Sequence, residues 1–241
     1  MSTANASQDN RPRPGRAGSQ APGQPLVDVR DMLVVHTALL REFRLAPAAV
    51  TRVAPGDRRG AAVADRHLGL LCDLLHAHHA GEDELLWPPL RERLPGSALA
   101  LLDAAEAQHA ALSEAIDRVT AARRPWARQP APGTRDALAS ALQELCTLLA
   151  EHFDAEERTL LPLAAAHLSE AEWKAIGDHG AAALPKSATL LVFGMFAYEG
   201  DPGVLRAMLG SAPAPVRLIV GRLSPRAYAR HAARVHGTPR P

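Results

Sequence analysis

From Leu26 onward, apolar residues recur every three to four positions, the period of a helix with one buried face. Val29, Met32/Leu33, His36, Leu39/Leu40 and Phe43 form the first stripe, and Pro47, Pro55, Gly56 and Gly60 predict a loop over 46–60. The second stripe is Leu68, Leu71, Leu75, His78, Glu82 and Leu85, in a helix spanning about 61–94. Pro88 and Pro89 should kink or end it, because an interior proline removes a donor and clashes with the preceding turn. After LPGS (94–97) comes a third stripe, Leu102, Ala105, His109, Leu112, Ile116 and Val119. A loop at about 124–134 precedes the fourth: Leu138, Leu142, Leu145, Leu149, His152, Glu156, Leu160 and Leu163. Ser169 and Glu172 make a capping box for a short helix. Ser224-Pro225 reads as the N-cap and first position of a last helix.

These elements predict an all-α protein, an antiparallel four-helix bundle over 25–184 with a basic helical C-terminal extension over 185–241. Residues 1–24 are rich in Pro, Gly, Ser, Gln and Asn and read as a disordered tail. Hydrophobic residues make up 47% of the 241, enough for a core, and aromatics only 4%, so the core must be built from Leu and Ala. The N-terminus lacks a secretory apolar region, and the most apolar stretch, 188–198, is about half the length of a membrane span. Cys72 and Cys146 lie in Leu-rich segments and read as free buried thiols. Together these features predict a soluble cytoplasmic protein that does not engage a membrane. The extension carries eight Lys or Arg against two acids, and Arg222, Arg226, Arg230 and Arg234 fall on one face. With no nucleic-acid-binding motif in the chain, that stripe reads as the solvated face of a helix packed across the bundle rather than a nucleic-acid surface.

The stripes carry an anomaly. His36, His78, His109 and His152 occupy core-facing positions, and Glu82 and Glu156 follow two of them by one turn. A His-x-x-x-Glu unit sets imidazole and carboxylate side by side on one helical face. Counted from the connecting loops at about 1.5 Å per residue, the four histidines fall within ~10 Å of one height. Burying such groups is costly without partners, and several His with two Glu in one helical core suit a di-iron or di-manganese centre. His79 lies on the adjacent stripe and is a further candidate ligand, as is Glu106, one turn before His109. His76 faces outward, and His167 lies over ~20 Å from His152 along its helix.

The set His36, His78-His79-x-x-Glu82-Asp83 followed by LLWPPL, His109, and His152-x-x-x-Glu156 followed by LLPL resembles the hemerythrin-like, or HHE cation-binding, family over about 26–182. The resemblance implies a four-helix bundle holding two non-haem iron ions bridged by carboxylates and an oxo or hydroxo group. It implies His36, His78, Glu82, His109, His152 and Glu156 as ligands, with Glu82 and Glu156 as bridges. The oxygen-carrying members have a second histidine on helix 3. Here the residues one turn from His109 are Ala105 and Ser113, and Gln108 stands where many relatives have Glu. Helix 3 is then one ligand short, with His79 and Glu106 competing to complete the set. That shortage favours a protein that binds or reacts with O2, peroxide or nitric oxide, in sensing, scavenging or iron handling, over a simple oxygen carrier. The alternatives are a di-iron oxidase or peroxidase-like enzyme drawing on an external reductant, and a metal-free helical interaction module.

Overall fold

A computed structural model describes residues 25–241, so the tail expected over 1–24 lies outside the described residues. Every regular element among them is helical. The order is α1 (Arg30–Thr51), α2 (Arg58–Gly81), a widened π-helical turn (Glu82–Leu86), α3 (Trp87–Arg93), α4 (Gly96–Arg128), α5 (Pro132–His167), α6 (Glu170–Ala183), α7 (Thr189–Phe196), α8 (Pro202–Met208) and α9 (Ala214–Val235). Local chemistry sets several starts. Asp57 caps α2 by accepting from the Gly60 N–H at 2.9 Å. Ser169 and Glu172 form the anticipated box at α6. Asp201 accepts from the Gly203 and Val204 N–H groups at α8.

The four long helices pack in a ring, α1 on α5, α5 on α4, α4 on α2 and α2 on α1. Their apolar stripes make two separate clusters. One contains Leu39, Phe43, Leu71, Leu75, Leu112, Leu142, Leu149 and Phe153. The other contains Met32, Leu86, Trp87, Leu90, Leu102, Ala105, Leu160 and Trp173. Between them, on every long helix, lie the histidines and glutamates of the stripes.

Three boundaries differ from the sequence expectation. The loop expected from residue 46 begins later, because α1 runs through Pro47 to Thr51 and buries Ala46, Ala49 and Val50. The helical turns of the second stripe do not end at Pro88-Pro89 but run on to Arg93. The Trp87 N–H instead reaches back five residues to the Glu82 carbonyl, and the prolines occupy the first turn of α3, where missing donors cost little. The wide turn inserts one residue, so Leu86 rather than Leu85 faces the core. Finally, Ser224-Pro225 does not start the last helix, which begins eleven residues before Pro225, at Ala214, and carries Pro225 inside it.

The reason for the last departure is burial. α9 lays Val220, Ser224, Tyr228, Ala232 and Val235 against α2 and α7, leaving Arg222, Arg226, Arg230 and Arg234 exposed. Met195, Tyr228 and Ala232 join the first core cluster, so the C-terminal segment shares the apolar interior of the long helices. α7 approaches α9 through Gly194, where a methyl group would overlap the Ser224 carbonyl and the Tyr228 Cβ. Replacing Gly194 with Ala should therefore cost about 1–3 kcal/mol through forced separation of the two helices. Urea unfolding of the purified variant checks this, and an unchanged midpoint would refute the tight docking.

Candidate metal centre

Each long helix contributes to one buried polar layer. α1 supplies His36, α2 supplies His78 and His79, the widened turn begins with Glu82, α4 supplies His109, and α5 supplies His152 and Glu156. Glu82 is 0% and Glu156 1% exposed. Regular helix up to Glu82 already sets His78, His79 and Glu82 within about 100° of one another, and the wide turn shifts the register only of the residues that follow.

The imidazoles meet in pairs. His36 Nε2 lies 3.1 Å from His78 Nε2, and His109 Nε2 lies 3.2 Å from His152 Nε2. The opposite ring nitrogens have oxygen acceptors. His36 Nδ1 is 3.0 Å from Glu157, His109 Nδ1 is 2.7 Å from Asp83, and His152 Nδ1 is 3.1 Å from Gln108 Oε1. An N–H on each of these Nδ1 atoms leaves each Nε2 as a bare lone pair. His109 and His152 then face each other lone pair to lone pair, an arrangement that a cation between them relieves. Two nitrogens at right angles on ~2.1 Å bonds would stand about 3 Å apart, close to both observed separations.

The carboxylates tell the same story. None of the four oxygens of Glu82 and Glu156 has a hydrogen-bond donor. Glu82 Oε1 lies 3.4 Å from His78 Nε2, and its Oε2 lies 3.5 Å from His109 Nε2. Glu156 Oε2 is 3.6 Å from His36 Nε2 and 3.5 Å from His152 Nε2. Uncompensated buried carboxylates are expensive, and these two can share a proton only with each other. The donors fall into two groups, His36 with His78 and Glu82, and His79 with Glu82, His109 and His152, each with its atoms within 4.8 Å of one another. Glu82 belongs to both.

The two residues competing to complete helix 3 separate cleanly. His79 is buried, its ring stacks on His109 with centroids 4.3 Å apart, and its Nε2 has no partner. Glu106 stays outside the layer, its carboxylate accepting from the Arg91 guanidinium at 2.8 Å on the surface. The structure brings His36, His78, His79, Glu82, His109, His152 and Glu156 together and leaves Glu106 apart. Sequence reasoning did not single out Glu157, nor Gln108 as the partner of His152. Their signal was present, because each directly neighbours a stripe residue and can reach the ring nitrogen that faces outward.

The family described as "Hemerythrin HHE cation binding domain" matches residues 27–170, well over half of the chain. The chain belongs to that family. Comparison with curated proteins and with solved structures returns no match. The hemerythrin match spans α1 to α5 and every residue of the polar layer, and stops before the segment that carries α7 to α9. Within this hemerythrin domain a cavity of about 350 Å³ opens beside His79 and His109, walled by Asp83, Trp87 and Ser113. A larger groove of about 720 Å³ runs between α1 and α5 past Arg44, Cys146 and Glu151, and touches none of the buried imidazoles.

Without a cation the layer titrates abnormally. Burial pushes His36 down to about 3 and His152 to about 2. Burial also lowers His78, His79 and His109, the last against the opposing pull of Asp83. Burial raises both Glu82 and Glu156. On acidification the unfolded chain protonates its imidazoles below their ordinary value of 6.5 while the folded layer does not, so folding loses stability there. Raised carboxyls act in the other direction: above their ordinary 4.5 the unfolded chain ionises first, so stability falls as pH rises. Between these values five depressed imidazoles outweigh two raised carboxyls. Chelator-treated protein should therefore lose stability as pH falls from about 6.5 to 5, read as a falling urea midpoint. A midpoint that rises over that range would contradict the neutral, buried imidazole layer.

Proposed function

We propose that this hemerythrin-family chain folds its four long helices as an antiparallel bundle around two iron ions and uses them to bind or react with O2, peroxide or nitric oxide. The observation that carries the reading is Glu82, whose two oxygens face different histidines and which belongs to both donor groups. His36 and His78 would hold one ion. His79, His109 and His152 would hold the other, with Glu82 and Glu156 shared between them. A pair of ferrous ions supplies redox electrons and open coordination positions for a small ligand.

The remaining work falls to the chain itself. Asp83, Gln108 and Glu157 accept from the outer ring nitrogens and so fix the tautomers of His109, His152 and His36. Trp87 donates its indole N–H to Asp83 at 3.0 Å, which holds that carboxylate under His109. Phe153 stacks on His36 with centroids 3.9 Å apart and keeps water from that side. The cavity beside His79 and His109 has room for a diatomic molecule or peroxide at the edge of the layer.

Protein expressed in iron-replete medium should carry about two Fe per chain, and His78→Ala combined with His152→Ala should lose most of it. Metal analysis followed by anaerobic titration with O2, H2O2 and NO tests this. Absence of any transition metal, or full iron retention in the double variant, would overturn the assignment. Asp83→Asn should keep the fold and weaken iron binding by about 10–100-fold, measured by competition with a chelator.

A further inference from the structure

A second polar cluster lies outside the layer just described. Glu42 on α1, His67 on α2 and His236 directly after α9 are all buried, with their donor atoms within 4.8 Å of one another. His67 Nε2 and His236 Nε2 each lie 3.2 Å from the same carboxylate oxygen, Glu42 Oε2. We propose that Glu42, His67 and His236 form a second metal site, for a single zinc-like divalent cation, closed by the C-terminal segment.

The decisive feature is His67. It is 1% exposed, and its Nε2 makes no hydrogen bond although a carboxylate oxygen stands at hydrogen-bonding distance. Its other nitrogen, Nδ1, is 3.0 Å from His231 Nε2. If His67 donates there, its Nε2 is a lone pair aimed at a carboxylate. If His231 donates instead, the His67 Nε2–H faces Glu42 out of line. His236 Nε2 is within hydrogen-bonding distance of Glu42 Oε2 at 3.2 Å, but hydrogen bonding leaves His67 Nε2 unsatisfied in both arrangements, whereas a cation between the three donors satisfies it in the first. The far nitrogen of a metal-binding imidazole commonly donates to a partner that fixes its tautomer, and the half-buried His231 would take that part here.

The spacing fits a tetrahedral ion. Ligands on ~2.0–2.1 Å bonds at the tetrahedral angle stand about 3.3 Å apart, against the observed 3.2 Å for both histidine–carboxylate pairs. Glu42 is oriented for it. Its Oε1 accepts from the Tyr228 hydroxyl at 2.6 Å and from Arg41, which leaves Oε2 for the two histidines. Arg41 also bonds Glu199 at 3.0 Å, so its positive charge has a second anion and does not consume the Glu42 carboxylate. Three protein donors leave one coordination position for water or another donor. Because His236 lies past α9, the ion would fasten the end of the chain onto α1 and α2.

The proposal stands independently of the iron reading, and the test separates them. Full-length, iron-loaded protein is titrated with Zn2+, and crystals soaked in Zn2+ are measured at the zinc absorption edge. An anomalous peak bounded by Glu42, His67 and His236 is expected, together with one added zinc per chain in solution. His67→Ala with His236→Gln should weaken that binding more than tenfold and leave the iron content unchanged. His78→Ala with His152→Ala should leave it intact. Circular dichroism of the metal-free variants identifies any that fail to fold, in which case the wild-type crystal decides. No peak at saturating Zn2+, or zinc retained in folded His67→Ala/His236→Gln protein, would overturn the site.

Discussion

Two carboxylates enclosed without a donor set the terms for the whole interior. Glu82 and Glu156 cannot be solvated where they sit, and a single apolar neighbour would not improve matters. What surrounds them is a shell of imidazole nitrogens, held at a fixed tautomer by oxygens one layer further out. The helices must be long enough to bring those groups to one height. They must also stay apolar above and below, so that water does not dissolve the arrangement. Much of the Leu and Ala content serves this enclosure.

The widened turn after Gly81 and the C-terminal segment are two further answers to that demand. The turn adds a residue after Glu82 and so brings Leu86 and Trp87 into the apolar cluster beside the layer. The segment covers the other end of the helices, burying Tyr228 and Ala232 in the same apolar cluster as Phe43 and Leu71. Its arginines stay in water while its opposite face completes the interior.

Much of this was legible in the sequence. Helical periodicity carried the four stripes, and counting from the loops carried the common height of His36, His78, His109 and His152. The rest depended on interactions that local patterns do not encode. Ser224-Pro225 has the chemistry of a helix start, yet burial against α7 outweighs it. Leu85 and Leu86 exchange roles because a five-residue hydrogen bond replaces a four-residue one, and no periodicity announces that. Glu106 has the right spacing from His109, but Arg91 draws its carboxylate to the surface. Glu42 sits three residues past Leu39 on the core stripe and was detectable as a buried acid, whereas its partner His236 is 194 residues away.

The polar layer splits the interior into two apolar clusters that do not touch through ordinary packing. Cooperative unfolding of a small domain relies on apolar contacts that run uninterrupted from one end to the other. Here that continuity passes through imidazoles and carboxylates, so the two halves report on each other only as firmly as those groups are held. Amide exchange near Trp87 and near Phe43 would thus run on separate clocks in a chain stripped of cations, and on one clock once the layer is locked. The layer is in this sense the hinge of the molecule's cooperativity.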